Sequence, residues 1–126
     1  MTRPLAELPR LDMRVLDGIR ELQGEDAPDL LRQVAELYLE DAPKHLAAML
    51  AAAGASDAQA ISRCAHALKS ASANLGLARF SGLCKAVEFA SRAGDLTGLP
   101  QDLPALANEW RLAEQALREA VSAIPA

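Results

Sequence analysis

Apolar residues in this chain recur three and four positions apart, and nowhere do they alternate with polar ones in the two-residue period of a half-buried strand. Helices packed on helices are the economical way to bury such a pattern. Capping residues and glycines divide it into five segments. Asp12 opens a short helix to about Leu22, with Met13, Leu16 and Ile19 at helical spacing until Gly24. A long second helix runs from Asp29 to about Ala53. Its expected stripe holds Leu30, Val34, Leu37, Tyr38, Leu46, Met49 and Leu50, with a kink at Pro43 and a stop at Gly54. Ser56 or Asp57 caps a third helix to about Leu75, ended by Gly76, and a fourth covers 78–93 before Gly94. A loop holding Gly98, Pro100 and Pro104 leads to a last helix, which buries Leu106, Trp110, Leu117 and Val121 and ends near Ala123. The expected fold is all-α, an antiparallel up-and-down four-helix bundle preceded by a short N-terminal helix over residues 11–124. Residues 1–10, carrying Pro4 and Pro9, are expected to be a flexible arm.

A chain of 126 residues fits one domain with one core. Hydrophobic residues make up 51% but aromatics only 3%, so that core is built from Leu, Ala, Val and Ile. A net charge of −4 argues against nucleic acid as a partner. Cys64 and Cys84 form no C-x-x-C pair and stand at apolar positions, as reduced, buried thiols of a cytoplasmic protein do. No stretch has the length and apolarity of a membrane span, so the expected location is the cytoplasm, without direct membrane contact. His45 and His66 lie in different segments with no supporting ligand pattern, so no metal site is expected. A Gly-rich phosphate loop and a catalytic triad are also missing, which argues against autonomous kinase activity.

The third helix carries the chemistry. On a wheel of 100° per residue, Ile61, Ala65, Leu68, Ser72 and Leu75 fall within roughly 80° of one another and form the face turned to the bundle. His66 lies about 140° from the middle of that stripe, on the flank or exposed face. Lys69 follows at i+3 and Ser70 at i+4, with Gln59, Ser62 and Ala73 on the same side. Neutral imidazole is a good nucleophile near physiological pH, its nitrogen–phosphorus bond is readily passed on, and an ammonium one turn away can meet the incoming negative charge. His45, among Leu46, Ala47 and Ala48, lacks such small polar companions.

The string Ala65-His66-Ala67-Leu68-Lys69-Ser70-Ala71-Ser72-Ala73-Asn74-Leu75-Gly76 closely resembles the phosphorylation-site signature of the bacterial histidine-containing phosphotransfer (HPt) family. The likeness continues through Leu77-Ala78-Arg79-Phe80, Leu83-Cys84 and Val87-Glu88, and more loosely through Leu37-Tyr38-Leu39-Glu40-Asp41-Ala42-Pro43. It implies that His66 is the phosphoacceptor, that Lys69 favours the phosphorylated state and that Gly76 stops the site helix. Two positions depart from the pattern. Ser70 stands where many members have Gly, and Glu88 where some have Gln. If Glu88 reaches the imidazole it orients the ring or repels the phosphate, and otherwise it is a solvated carboxylate on a helix edge.

The resemblance implies reversible phosphoryl exchange between His66 and an aspartate of response-regulator receiver domains, including those of hybrid sensor kinases. The receiver supplies the Mg²⁺, and this chain, a monomer, needs no cofactor. The alternatives are a binding module that regulates or sequesters a partner through its bundle face, and a purely structural helical domain.

Overall fold

The computed structural model describes residues 5–26 and 28–124. Five α-helices follow a single 3-10 turn at Leu5–Glu7: α1 (Met13–Leu22), α2 (Leu30–Gly54), α3 (Ala58–Ala73), α4 (Ala78–Arg92) and α5 (Leu99–Ser122). No strand occurs among the described residues. Each of α2 to α5 packs on its neighbours in sequence, and α5 returns to α2, which closes a four-helix ring, while α1 lies against α2. This is the up-and-down bundle with a short preceding helix that the periodicity predicts.

The core is aliphatic, with one aromatic cluster at its centre. Trp110 of α5 lies 5.7 Å from Tyr38 of α2 and 5.4 Å from Phe80 of α4, ring centre to ring centre. The expected stripe of α3 is buried at all five positions, Ile61, Ala65, Leu68, Ser72 and Leu75. In α2 the buried line runs Leu31, Ala35, Tyr38, Ala42, Leu46, Met49, stepping by three and four. Leu37 and Leu50, assigned to that stripe from the sequence, are exposed. Two alanines hold the buried line where a leucine-weighted reading looks elsewhere. Cys84 is buried, and desolvation pushes its thiol up to about 12; Cys64 is only partly buried.

Helix ends explain several boundaries. Asp12 accepts from the Arg14 amide and Asp57 from the Ala60 amide, as their capping positions predict. At α2 the cap bond comes instead from Gln23, whose side-chain oxygen accepts from the Leu31 amide at 2.9 Å. Gly54 does not stop α2. The left-handed residue is Ser56, at φ 52°, and the amides of Ser56 and Asp57 close back on Ala53 and Ala52. Pro43 stands inside α2, which stays one element across it. Likewise α5 begins at Leu99, well before the expected start. Pro100 occupies its first turn, where the missing amide has no helical partner to lose, and Pro104 follows one turn later.

The arm expected over residues 1–10 requires correction for residues 5–10; residues 1–4 lie outside the described residues. Leu5 and Leu8 lie across Gly82 so closely that an added Cβ there would meet them at 2.5 and 3.2 Å. The Arg79 amide donates to the Pro9 carbonyl, and Arg10 forms a two-bond ion pair with buried Glu109 of α5 at 2.8 and 3.2 Å. A proline-broken segment without helical period still docks by backbone and charge, and periodicity carries no sign of that.

Gly76 has φ +80°, and its amide and that of Leu77 close back on Ala73 and Ser72 to end α3. Its carbonyl accepts from the Asp12 amide at 2.7 Å, which fixes α1 against the end of the site helix. A Cβ at this position would come within 2.6 Å of the Asp12 carbonyl oxygen. Gly76→Ala is therefore expected to destabilise the fold by at least about 1–2 kcal/mol. Urea unfolding checks this, with a lowered midpoint at unchanged slope as the expected result.

Candidate functional site

His66 sits midway along α3 with its side chain 59% exposed, and the core stripe of the same helix runs behind it. Two hydrogen bonds fix α3 in place. On the α2 side the Tyr38 and Ser72 hydroxyls meet at 2.7 Å in the interior, and burial pushes the Tyr38 phenol well above its ordinary pKa despite the Ser72 bond. On the α4 side Ser81 donates to the Lys69 carbonyl at 2.9 Å. The backbone carrying His66 and Lys69 is thus tied to both neighbouring helices.

Glu88 of α4 is the centre of the site. Its side chain is 5% exposed, and both oxygens are engaged. Oε2 meets His66 Nδ1 at 2.6 Å and accepts from the Arg92 guanidinium at 2.9 Å, while Oε1 accepts from Lys69 Nζ at 2.5 Å. Burying a carboxylate is expensive unless it is paired and hydrogen-bonded, and here three donors converge on it. Desolvation alone would raise its pKa, but the bonds from Lys69 and His66 outweigh it and hold the carboxyl below its ordinary value. Of the two readings open from the sequence, the carboxylate that reaches the imidazole is the observed one.

An ionised carboxylate only accepts hydrogen bonds, so the Nδ1 that meets it is the protonated ring nitrogen. In the neutral ring the lone pair is then on Nε2, the atom not engaged by Glu88. An exposed imidazole in a fixed tautomer, with a cation one turn away, can attack an electrophile delivered from solvent.

Ser70 and Ala73 are exposed and line, with Lys69, Asn74 and Lys85, an open groove running from the site towards Gly76. Gln59, Ser62, Arg63 and Arg92 line a second groove at the other side. Of the residues singled out from the sequence, the structure brings His66, Lys69 and Glu88 into contact, with Ser70 beside them. Gly76 stands apart and shapes the end of α3. His45 lies in a different groove with Asp41 on α2. Sequence reasoning missed Arg92, whose available signal was its i+4 spacing from Glu88. Among the described residues no group of three His, Cys, Asp or Glu side chains could hold a metal ion, and no helix is long and apolar enough to cross a membrane.

The family model described as the Hpt domain matches residues 33–124. The chain is also similar to histidine-containing phosphotransfer protein B (HptB) from Pseudomonas aeruginosa PAO1, known from a crystal structure, with a TM-score of 0.84 and 27% sequence identity. That match covers 93% of this chain and 98% of the other. No curated protein sequence matches.

Because the Glu88 carboxyl is held below its ordinary pKa in the folded chain, its pairing stabilises the fold fully above the unfolded carboxylate value of about 4.3. That contribution is lost as pH falls through the depressed folded value. Glu88→Gln removes the titration, so the loss of stability from pH 5 downward should be shallower than in the wild type. Thermal unfolding across this acid range, at fixed ionic strength, checks the difference.

Proposed function

The chain belongs to the Hpt domain family, a family of histidine phosphotransfer proteins of phosphorelays that interact with response-regulator receiver domains, and on that premise we propose that His66 is its phosphoacceptor. The observation that carries this reading is the exposed imidazole whose Nδ1 is held by buried Glu88, which leaves Nε2 as the nucleophile. In the proposed reaction Nε2 attacks the phosphorus of an aspartyl phosphate in line with the breaking phosphorus–oxygen bond. The reverse step passes the group to another receiver aspartate. The receiver contributes the acidic pocket and Mg²⁺. This chain contributes a positioned nucleophile and nearby positive charge, which suffices because phosphoryl transfer depends mainly on positioning and charge stabilisation.

Lys69 is the proposed phosphate-stabilising residue. Its ammonium rests on Glu88 beside the ring, and its four-carbon stem allows it to turn to a phosphoryl group on Nε2. Ser70 and Ala73 keep the approach open, since in-line attack needs the phosphorus within about 3–3.5 Å of the nitrogen. The bundle, with residues 5–10 docked on it, is proposed to act as a monomeric, cytoplasmic carrier with neither a cofactor nor kinase activity of its own. Neither the site nor its relatives lend support to a purely binding role.

His66→Gln should abolish acid-labile phosphate incorporation from a phosphorylated receiver. It should change stability by less than about 1 kcal/mol, because the position is exposed and the amide can still donate to Glu88. Mass spectrometry and thermal unfolding check the two halves; labelling at the wild-type level would overturn the assignment.

Lys69→Ala should keep His66 as the labelled residue but slow labelling about three- to tenfold, the expected scale for one partly exposed charge-assisted contact. Because the substitution also takes a partner from Glu88, rates should be compared at a temperature where both proteins are fully folded.

A further inference from the structure

The chain has four aromatic side chains, and three of them, Tyr38, Phe80 and Trp110, form the cluster at the centre of the core. The fourth, Phe89 of α4, is 78% exposed. It belongs neither to the core nor to the partly buried side chains packed against it. Folding therefore gains little from this ring, whereas a partner that covers it gains the burial of a large side chain with few rotamers.

Phe89 directly follows Glu88, the carboxylate bonded to His66. At 100° per residue its side chain leaves α4 about 40° from Lys85 and about 60° from Arg92. These two cations line the grooves on either side of the site, Lys85 with Lys69 and Ser70, and Arg92 with Ser62 and Arg63. Ala86 and Ala93, three and four residues from Phe89, are exposed and small, so the ring stands above its surroundings. The exposed charge around it has one sign. Helices α3 and α4 carry Arg63, Lys69, Arg79, Lys85 and Arg92 against a single carboxylate, the buried Glu88, in a chain whose net charge is −4.

Resting on the phosphoacceptor reading above, we propose that Phe89 is the apolar anchor by which this chain selects its receiver. The ring buries against an apolar patch beside the receiver's acidic pocket, while Lys85 and Arg92 face acidic side chains on the rim of that pocket. Charge complementarity favours this occupant over a second copy of the chain, which would bring the same cations against one another. The cations act over distance and speed the encounter, and the desolvated ring governs how long the complex lasts. Discrimination follows from what each receiver offers opposite the ring. An apolar hollow accepts it, whereas polar groups at that place would lose their water without gaining a partner.

The test compares the wild type with Phe89→Ala and Phe89→Leu, using the phosphorylated receiver of the His66→Gln experiment over a range of concentrations. Both variants should keep the wild-type unfolding midpoint, because the ring is exposed. Phosphoramidate, which is too small to need a docking surface, should label His66 at the wild-type rate in all three proteins. With Phe89→Ala, transfer at low receiver concentration should slow at least about tenfold, while the rate at saturating receiver changes less than about twofold. Phe89→Leu should recover part of the loss. Wild-type transfer by Phe89→Ala at low receiver concentration would overturn the proposal, and so would an equal loss with phosphoramidate, which would place the effect of the ring on the imidazole. A wild-type dimer that Phe89→Ala dissociates without slowing transfer would show a second copy to be the occupant instead. Undiminished labelling of His66→Gln by phosphoramidate would remove the phosphoacceptor reading itself, a result distinct from all of these.

Discussion

A carboxylate nearly removed from water, with three donors gathered on its two oxygens, organises the functional face of this bundle. Glu88 projects from α4, and two of its partners, His66 and Lys69, come from α3. The ion cluster therefore fixes the register of the two helices as well as the direction of the imidazole. Its desolvation cost is tolerable because each of its two oxygens is bonded to at least one donor. Among the described residues no buried side-chain nitrogen or oxygen lacks a partner.

The rest of the fold holds that cluster still. Tyr38 and Ser72 lock α2 to α3 inside the core, while Ser81 and the Lys69 carbonyl lock α3 to α4 near the surface. Gly76 ends α3 sharply and anchors α1 through Asp12. Precision in the placement of the His66 imidazole thus comes from its supports. A side chain on a regular helix, tied at both flanks, has few alternatives to its observed position.

Charge is distributed unevenly across this face in a way that suits a transient anion. Lys69 and Arg92 are bonded to Glu88 but differ in accessibility, at 28% and 70% side-chain exposure. Both remain paired with that carboxylate, and Arg92 keeps most of its side chain in contact with solvent. In the free chain both cations share this single buried carboxylate.

Much of this was legible in the residues alone. The three-and-four spacing gave five helices, and the wheel put His66 off the buried stripe, because both depend on the geometry of one helix at a time. The string from Ala65 to Gly76 supplied the family resemblance. What periodicity could not supply depends on two elements meeting. Leu37 and Leu50 have the right hydrophobicity yet face solvent, since the packing line of α2 is set by where α1, α3 and α5 lie. Residues 5–10 dock through the Leu8 and Pro9 carbonyls, which accept from Arg79, and an Arg10–Glu109 pair separated by most of the chain. Glu88 could be read as a surface carboxylate or as the ring's partner until the angle and register of α3 against α4 were known. Local sequence determines which way a side chain leaves its helix; only tertiary packing decides what it meets there, and for Glu88 that separates a solvated charge from the centre of the site.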